Sequence, residues 1–425
     1  MAYNVLYYGN GCQGPNSAYH KYLNTIIKYV QPDILSMEKM ASIPVGPNDK
    51  YGIASRGFAD SIMEYALNNN QKRYAYCPMT NEARSDNMSV LYYNPAKFGF
   101  VSLVSSYTNI TDFNTYKLYY KDPNLANTQD TTFLYVTLNH DKSGDDNEEV
   151  RGSQIAVEMN LIKKHFLHLP NMINMGDFNL HNSMEATYQT LVAPADSNFR
   201  FYDPPFYPDM QLKYPADWEH DIAFAKYLTT STRETEGVPN KCGSAGGAKN
   251  WYDHILLSPW IMNNTNYIKY IPNSYTTLGN DGNRLGKSIN NNTPVTNISL
   301  SPEVLDALYN FSNKYPVIAS LEISSNTTGK SVADPEINNV PIYFKEEIKV
   351  ISPIGKKISL QFSDALIGQD LKLEVYDALG KQVVKEKFNV KGTTTKVKCK
   401  LDKGIYKLII RTGHNLILEQ EIEKN

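Results

Sequence analysis

The sequence predicts an α/β protein in which helices cover sheets, followed by a separate, small all-β domain. Three observations carry this. Up to about residue 323, short apolar runs alternate with segments of helical periodicity. Between 324 and 340 the composition turns to that of a linker, SSNTTGKSVADPEINNV. From 347 onward short stretches alternate with period two.

The elements follow in order. YNVLYYG (3–9) reads as a buried strand, and 16–30 as a helix with Leu23, Ile26, Ile27 and Val30 at helical spacing. PDILSMEKM (32–40) is a short apolar strand ending in a charged pair. Further strand-like runs are SVLYY (89–93), TFLYVTL (132–138), NMINM (171–175), DHILLS (253–258) and YPVIASLEI (315–323). Residues 148–168 read as a helix with Ile155, Met159, Ile162 and Phe166 on one face. The Asn-rich 263–300 reads as loop. The C-terminal stretches KISLQF, LKLEVYDA, VVKEKFNV, KVKCKL, GIYKLIIRT and LILEQEIE are separated by LGKQ, VKGT and DKG turns, the pattern of a β-sandwich. The expected division is 1–325, a linker at 326–345, and 346–425.

Composition excludes several classes. With 41% hydrophobic and 20% charged residues the chain can build a real core. No run approaches the 18 or so apolar residues of a membrane span. The net charge of -2 divides into 27 Lys+Arg against 33 Asp+Glu before residue 346 and 15 against 11 after it. An acidic first part argues against a tight, sequence-independent grip on nucleic acid, while leaving room for transient binding. The cysteines Cys12, Cys77, Cys242 and Cys399 show no metal-ligand spacing. A Cys12–Cys242 disulfide stays open, with isolated thiols the simpler reading. The opening MAYNVLYYGN has no basic region followed by a long apolar one, so the expectation is a chain beginning after a removed signal.

Polar residues recur where apolar strands end: Asn4, Glu38, His140, Asp177 with Asn179 in GDFN, and Asp253. On an extended backbone Asp177 and Asn179 would leave by one face. Carboxylates and amides with a single histidine suit magnesium better than zinc. Mn2+ or Ca2+ are the other hard cations this set admits. The matching chemistry is metal-assisted phosphoryl transfer. Each residue also has a plainer reading: Glu38 as a surface acid, His140 as a solvated loop residue, Asp177 and Asn179 as turn caps, and Asn4 and Asp253 as structural groups.

These elements, with YDHILLS and FSNKYPV, resemble in order the endonuclease/exonuclease/phosphatase superfamily related to pancreatic deoxyribonuclease, over residues 3–323. The resemblance implies a four-layer α/β/β/α sandwich with the site at strand ends on one edge. It implies Asn4 and Glu38 at the metal, His140 on the scissile phosphate, Asp177 and Asn179 at the attacking water, and Asp253 orienting a second histidine. That histidine is absent. Where the family carries an Asp-His pair, this chain has Asn313-Lys314. Asn313 cannot act as a base, and Lys314 is left to pair with Asp253 or reach a phosphate oxygen. The leading expectation is a secreted, metal-dependent phosphodiester hydrolase, nuclease-like, with nucleic acid among its substrates. The alternatives are an inactive pseudoenzyme binding a ligand or partner macromolecule, and a phosphomonoesterase or sphingomyelinase-type member.

Residues 375–411, VYDALGKQVVKEKF…LDKGIYKLIIRTG, resemble the sorting domain of type IX secretion cargo in Bacteroidetes. The resemblance implies export through that machinery to the cell surface or medium. A generic β-sandwich module is the other reading.

Overall fold

The computed structural model describes residues 1–10, 15–42, 53–68, 73–207, 217–219, 221–235, 243–337, 348–351, 356–362, 370–412 and 415–424. They form two compact units, one running as far as Ile337 apart from short stretches such as Val101–Val104, the other taking in the chain from Asn338.

The first unit is built on two sheets. One has six strands in the order Thr276–Thr277, Val317–Ile318, Ala2–Tyr8, Ile34–Ala41, Asn87–Tyr93 and Ala75–Tyr76. The other has five: Phe98–Thr108, Asp112–Tyr120, Phe133–His140, Met172–Asp177 and Asp253–Leu257. In the first sheet the central pair is parallel, with Asn4 beside Glu38, and in the second the third and fourth strands are, with His140 beside Asp177.

Side-chain parity shows which face is which. Leu134, Ile173, Met175, Ile255 and Leu257 line one cavity of ≈ 320 Å³ together with Ile34 and Ile318 of the other sheet, so these faces lie against each other. Tyr135, on the opposite face, meets Phe166 edge-on. The outer faces carry helices. Tyr3 and Tyr8 pack on Phe311 of helix Pro302–Phe311, and Tyr92 donates to the Ala59 carbonyl of helix Ile53–Ile62. On the second sheet, Asn174 donates to Glu158 of helix Glu148–His165. Helix, sheet, sheet and helix thus stack in the expected α/β/β/α order.

Several readings need correction. The strands Phe98–Thr108 and Asp112–Tyr120 escaped notice. YPVIASLEI is two short strands in different sheets. The segment 263–300 contains strands Ile268–Tyr270 and Thr276–Thr277. Helix Glu148–His165 ends before Phe166, which is extended. The expected linker begins too early, because its first dozen residues are held by the first unit. Asp122 accepts from the Asn326 amide at 2.6 Å and Asp130 from that of Ser331 at 2.6 Å. Buried Lys117 contacts Glu336 at 2.5 Å and Asp334 at 3.4 Å, and Ile337 donates to the His165 carbonyl.

The second unit holds a three-stranded sheet, Ile348–Ile351, Lys357–Phe362 and Thr394–Lys398. Its four-stranded sheet runs Gln382–Asn389, Asp370–Tyr376, Gly404–Thr412 and Asn415–Lys424. Every pairing recorded within them is antiparallel, and Ile358, Leu360, Leu373, Val375, Leu408 and Ile410 form a shared apolar core. Cys77 and Cys399 are buried, whereas Cys12 and Cys242 lie outside the described residues.

Candidate active site

Strand parity that buries Ile173, Met175, Ile255 and Leu257 between the sheets also turns Asp177 and Asp253 inward, at the opposite end from the cavity. Two irregularities shape the rim. The first strand shifts register between Asn4 and Tyr8, with Leu6 and Tyr7 at φ 46 and 57, and its neighbour does so around Lys39 at φ 58. Glycine at 176 is required by its setting. Its φ is 140, and a Cβ there would stand 2.0 Å from the Asn139 carbonyl oxygen.

Asp177 is the hub. Its Oδ2 accepts from Asn4 Nδ2 at 2.7 Å and lies 2.9 Å from Lys314 Nζ, while Oδ1 accepts from the Asn179 amide at 3.0 Å. Lys314 Nζ also reaches Asp253 Oδ2 at 3.4 Å and sits 4.5 Å over the Tyr252 ring. Burial would raise the Asp177 carboxyl, but Lys314, His140 and Asn4 hold it below the usual carboxylate range. Asp253, further from the shared ammonium, is pushed up by burial, which Lys314 opposes and Asp177 reinforces. Burial opposes the charge on Lys314, yet the two carboxylates outweigh it and raise its pKa. Lys314 is therefore a fixed cation.

His140 is buried, and its Nδ1 lies 3.1 Å from Asn87 Oδ1. The Asn87 Nδ2 donates to Asp86, so the amide oxygen accepts from Nδ1–H and the Nε2 lone pair is left for other use. Burial, opposed by Asp177, brings the His140 pKa down to about 4, so the ring is neutral at pH 7.

Glu38 is wholly buried. One oxygen, Oε1, accepts from the Ser36 hydroxyl, whereas Oε2 has no hydrogen-bond partner, and neither has Asp253 Oδ1. Burial pushes the Glu38 carboxyl up to about 8, against the Ser36 hydrogen bond and reinforced by Asp253 and Asp177. An orphaned, dry carboxylate oxygen needs a proton or a cation. Among the described residues no group of three or more His, Cys, Asp or Glu is placed to hold a metal. The orphaned Glu38 oxygen fits a cation that takes one carboxylate and fills its other positions with water and substrate oxygen, as magnesium does.

Two expected site residues behave differently. Asn179 is not extended: its φ is 50, and its side-chain amide donates to the Asp141 carbonyl at 2.9 Å, so it shapes the turn that presents Asp177. Asn313 faces away from Asp177, donating to Ser244 at 2.6 Å. Two residues went unnoticed. Asn87 stands two residues before the SVLYY run, and Lys39 follows Glu38 within electrostatic reach of Asp177 and His140.

Residues 352–423 match the family of secretion system C-terminal sorting domains. That places the protein among secreted or cell-surface proteins, and no helix among the described residues is long and apolar enough to cross a membrane. No curated protein sequence matches the chain. Among solved structures, the chain is similar to zebrafish (D. rerio) TDP2 complexed with single-strand DNA product, at 13% identity, covering 76% of this chain and 97% of that one, TM-score 0.42. The human Nocturnin catalytic domain with bound sulfate aligns at 14% identity over 76% and 92%, TM-score 0.41. An endonuclease/exonuclease/phosphatase from Beutenbergia cavernae aligns at 10% over 99% and 98%, TM-score 0.40.

Proposed function

We propose that this exported protein hydrolyses phosphate ester bonds, phosphodiesters foremost, at the rim where Asn4, Glu38, His140, Asp177, Asp253 and Lys314 meet. The observation that carries the reading is the unpaired Glu38 Oε2, buried within electrostatic reach of Asp177 and Asp253. A buried carboxylate oxygen without a partner calls for an explanation. Asp141, Glu158 and Asp203 share the feature, and Glu38 differs in lying beside Asn4 where the strands end. Glu38 would hold magnesium, with Asn4 Oδ1, which already accepts from the Leu6 amide, as a neighbouring oxygen. The ion, when bound, would offset charge on the phosphate oxygens.

The chain's own groups divide the remaining work. His140, locked by Asn87 with Nδ1 protonated, offers Nε2 to a proton of the attacking water. Asp177, fixed by Asn4, Lys314 and the Asn179 amide, stays ionised and orients that water rather than deprotonating it. The Lys314 ammonium cannot serve as a base, and lies where it can draw on a phosphate or leaving oxygen.

The test is release of p-nitrophenol from bis-p-nitrophenyl phosphate, and of acid-soluble nucleotides from DNA and RNA, with magnesium and with EDTA. Metal-dependent release that falls in Glu38→Gln is the expected result. Background release in every arm overturns the reading. A second reading, ligand binding without turnover, draws on Lys314, since a lysine paired to both acids leaves one neutral base in the site.

A further inference from the structure

We infer that the Lys314 ammonium is a resident counter-ion that closes the Asp177–Asp253 pair to metal, so that the site takes one divalent cation, on the Glu38 side. The count of one rests on the proposed Glu38 site, but the closure of the acid pair stands without it.

Asp177 and Asp253 are adjacent partners on neighbouring antiparallel strands, both inward-facing and both fully buried. Two facing buried carboxylates repel and call for a positive charge. A hard cation is one way to supply it. Here the charge is part of the chain. Nζ stands 2.9 Å from one carboxylate and 3.4 Å from the other, its side chain nearly sealed from solvent at 7% exposure. Three further contacts keep it there. The Tyr252 ring faces the ammonium at 4.5 Å, the Lys314 amide donates to Ser312 Oγ at 3.2 Å, and Ser312 donates to the Asn4 carbonyl at 2.8 Å. The Lys314 backbone is thus tied through Ser312 to the strand carrying Asn4, and its side chain to the two acids. A divalent ion entering between the acids would have to displace a charged group that has nowhere solvated to go. Glu38 differs in that its Oε2 has no partner to displace. The Oδ1 oxygen of Asp253, also unpartnered, is the point at which a metal would attach if the ammonium were gone.

Manganese, as the metal alone, is the probe, counted by EPR and by calorimetry on the full chain. Wild type and Lys314→Arg, which keeps the charge, are expected to bind the same number of ions, and Lys314→Ser one more. Glu38→Gln is expected to lose one ion in either background. If Lys314→Ser gains no ion over wild type, the inference is overturned. If wild type binds none at Glu38 but Lys314→Ser gains one, the Glu38 site fails and the closure of the acid pair stands. Should Lys314→Ser not fold, wild-type crystals grown with manganese decide. Anomalous density absent between Asp177 and Asp253 supports the inference, and a peak there with Nζ displaced overturns it.

Discussion

The C-terminal unit and the rim of the first unit bury their side chains to opposite ends. In the C-terminal unit Ile358, Leu360, Leu373, Val375, Leu408 and Ile410 fill the interior, and buried Glu374 is matched by Lys372 at 2.7 Å and by Gln382. At the rim Glu38, Asp177, Asp253 and Lys314 are as deeply buried, and two carboxylate oxygens are left unmatched. A core whose polar groups are all matched is optimised for standing up. An interior that keeps buried, unmatched acids gives up stability.

The largest test of that contrast is His140→Gln. It should lower phosphoester hydrolysis by about 10²–10⁴-fold, the usual worth of a positioned base, with the circular dichroism spectrum unchanged. Steady-state rates on bis-p-nitrophenyl phosphate check it. The mirror experiment is Leu408→Ala in the C-terminal core, where a wholly buried leucine is removed. It should cost about 2–5 kcal/mol in denaturant unfolding of the second unit and leave hydrolysis untouched. A loss of activity there would erase the contrast.

Next comes pH. The unfolded chain takes up a proton on His140 near 6.5, the folded one only near 4. Between these values the unfolded state binds more protons on this group, so the His140 contribution to stability falls as pH drops through the window, by up to about 3 kcal/mol at its foot. Glu38, raised to about 8, contributes with the opposite sign. The difference in denaturation midpoint between wild type and His140→Gln from pH 7 to 4, in which the Glu38 part is common to both, should show this slope. The smallest effect is Ser301→Ala. Ser301 caps helix Pro302–Phe311 by accepting from the Val304 amide, and its loss should cost about 1 kcal/mol with no change in rate.

How much was legible follows the same divide. The C-terminal strands could be read almost residue by residue, because strict alternation has one structural solution. In the first unit the short apolar runs announced the central strands, and parity then carried Asp177 and Asp253 to a common face. Phe98–Thr108 was missed because FGFVSLVSSYT mixes serines among its apolar residues, and its burial fades toward Thr108. The turn after Asp177 was read as extended because nothing local marks Asn179 as left-handed, although asparagine tolerates that conformation well. Asn87 carries no motif at all. It matters through a hydrogen bond across 53 residues of sequence, which no window spans. The composition of 326–345 reads as a tether, yet within it the Asn326 and Ser331 amides satisfy Asp122 and Asp130.

That last segment sets where the molecule can be cut. Lys117 lies in the second sheet, sealed from water, and its counter-ions arrive more than two hundred residues later in the chain. Protease trimming or a stop codon before Asp334 would strand a naked ammonium inside the fold. A shortened chain should therefore keep everything to Ile337.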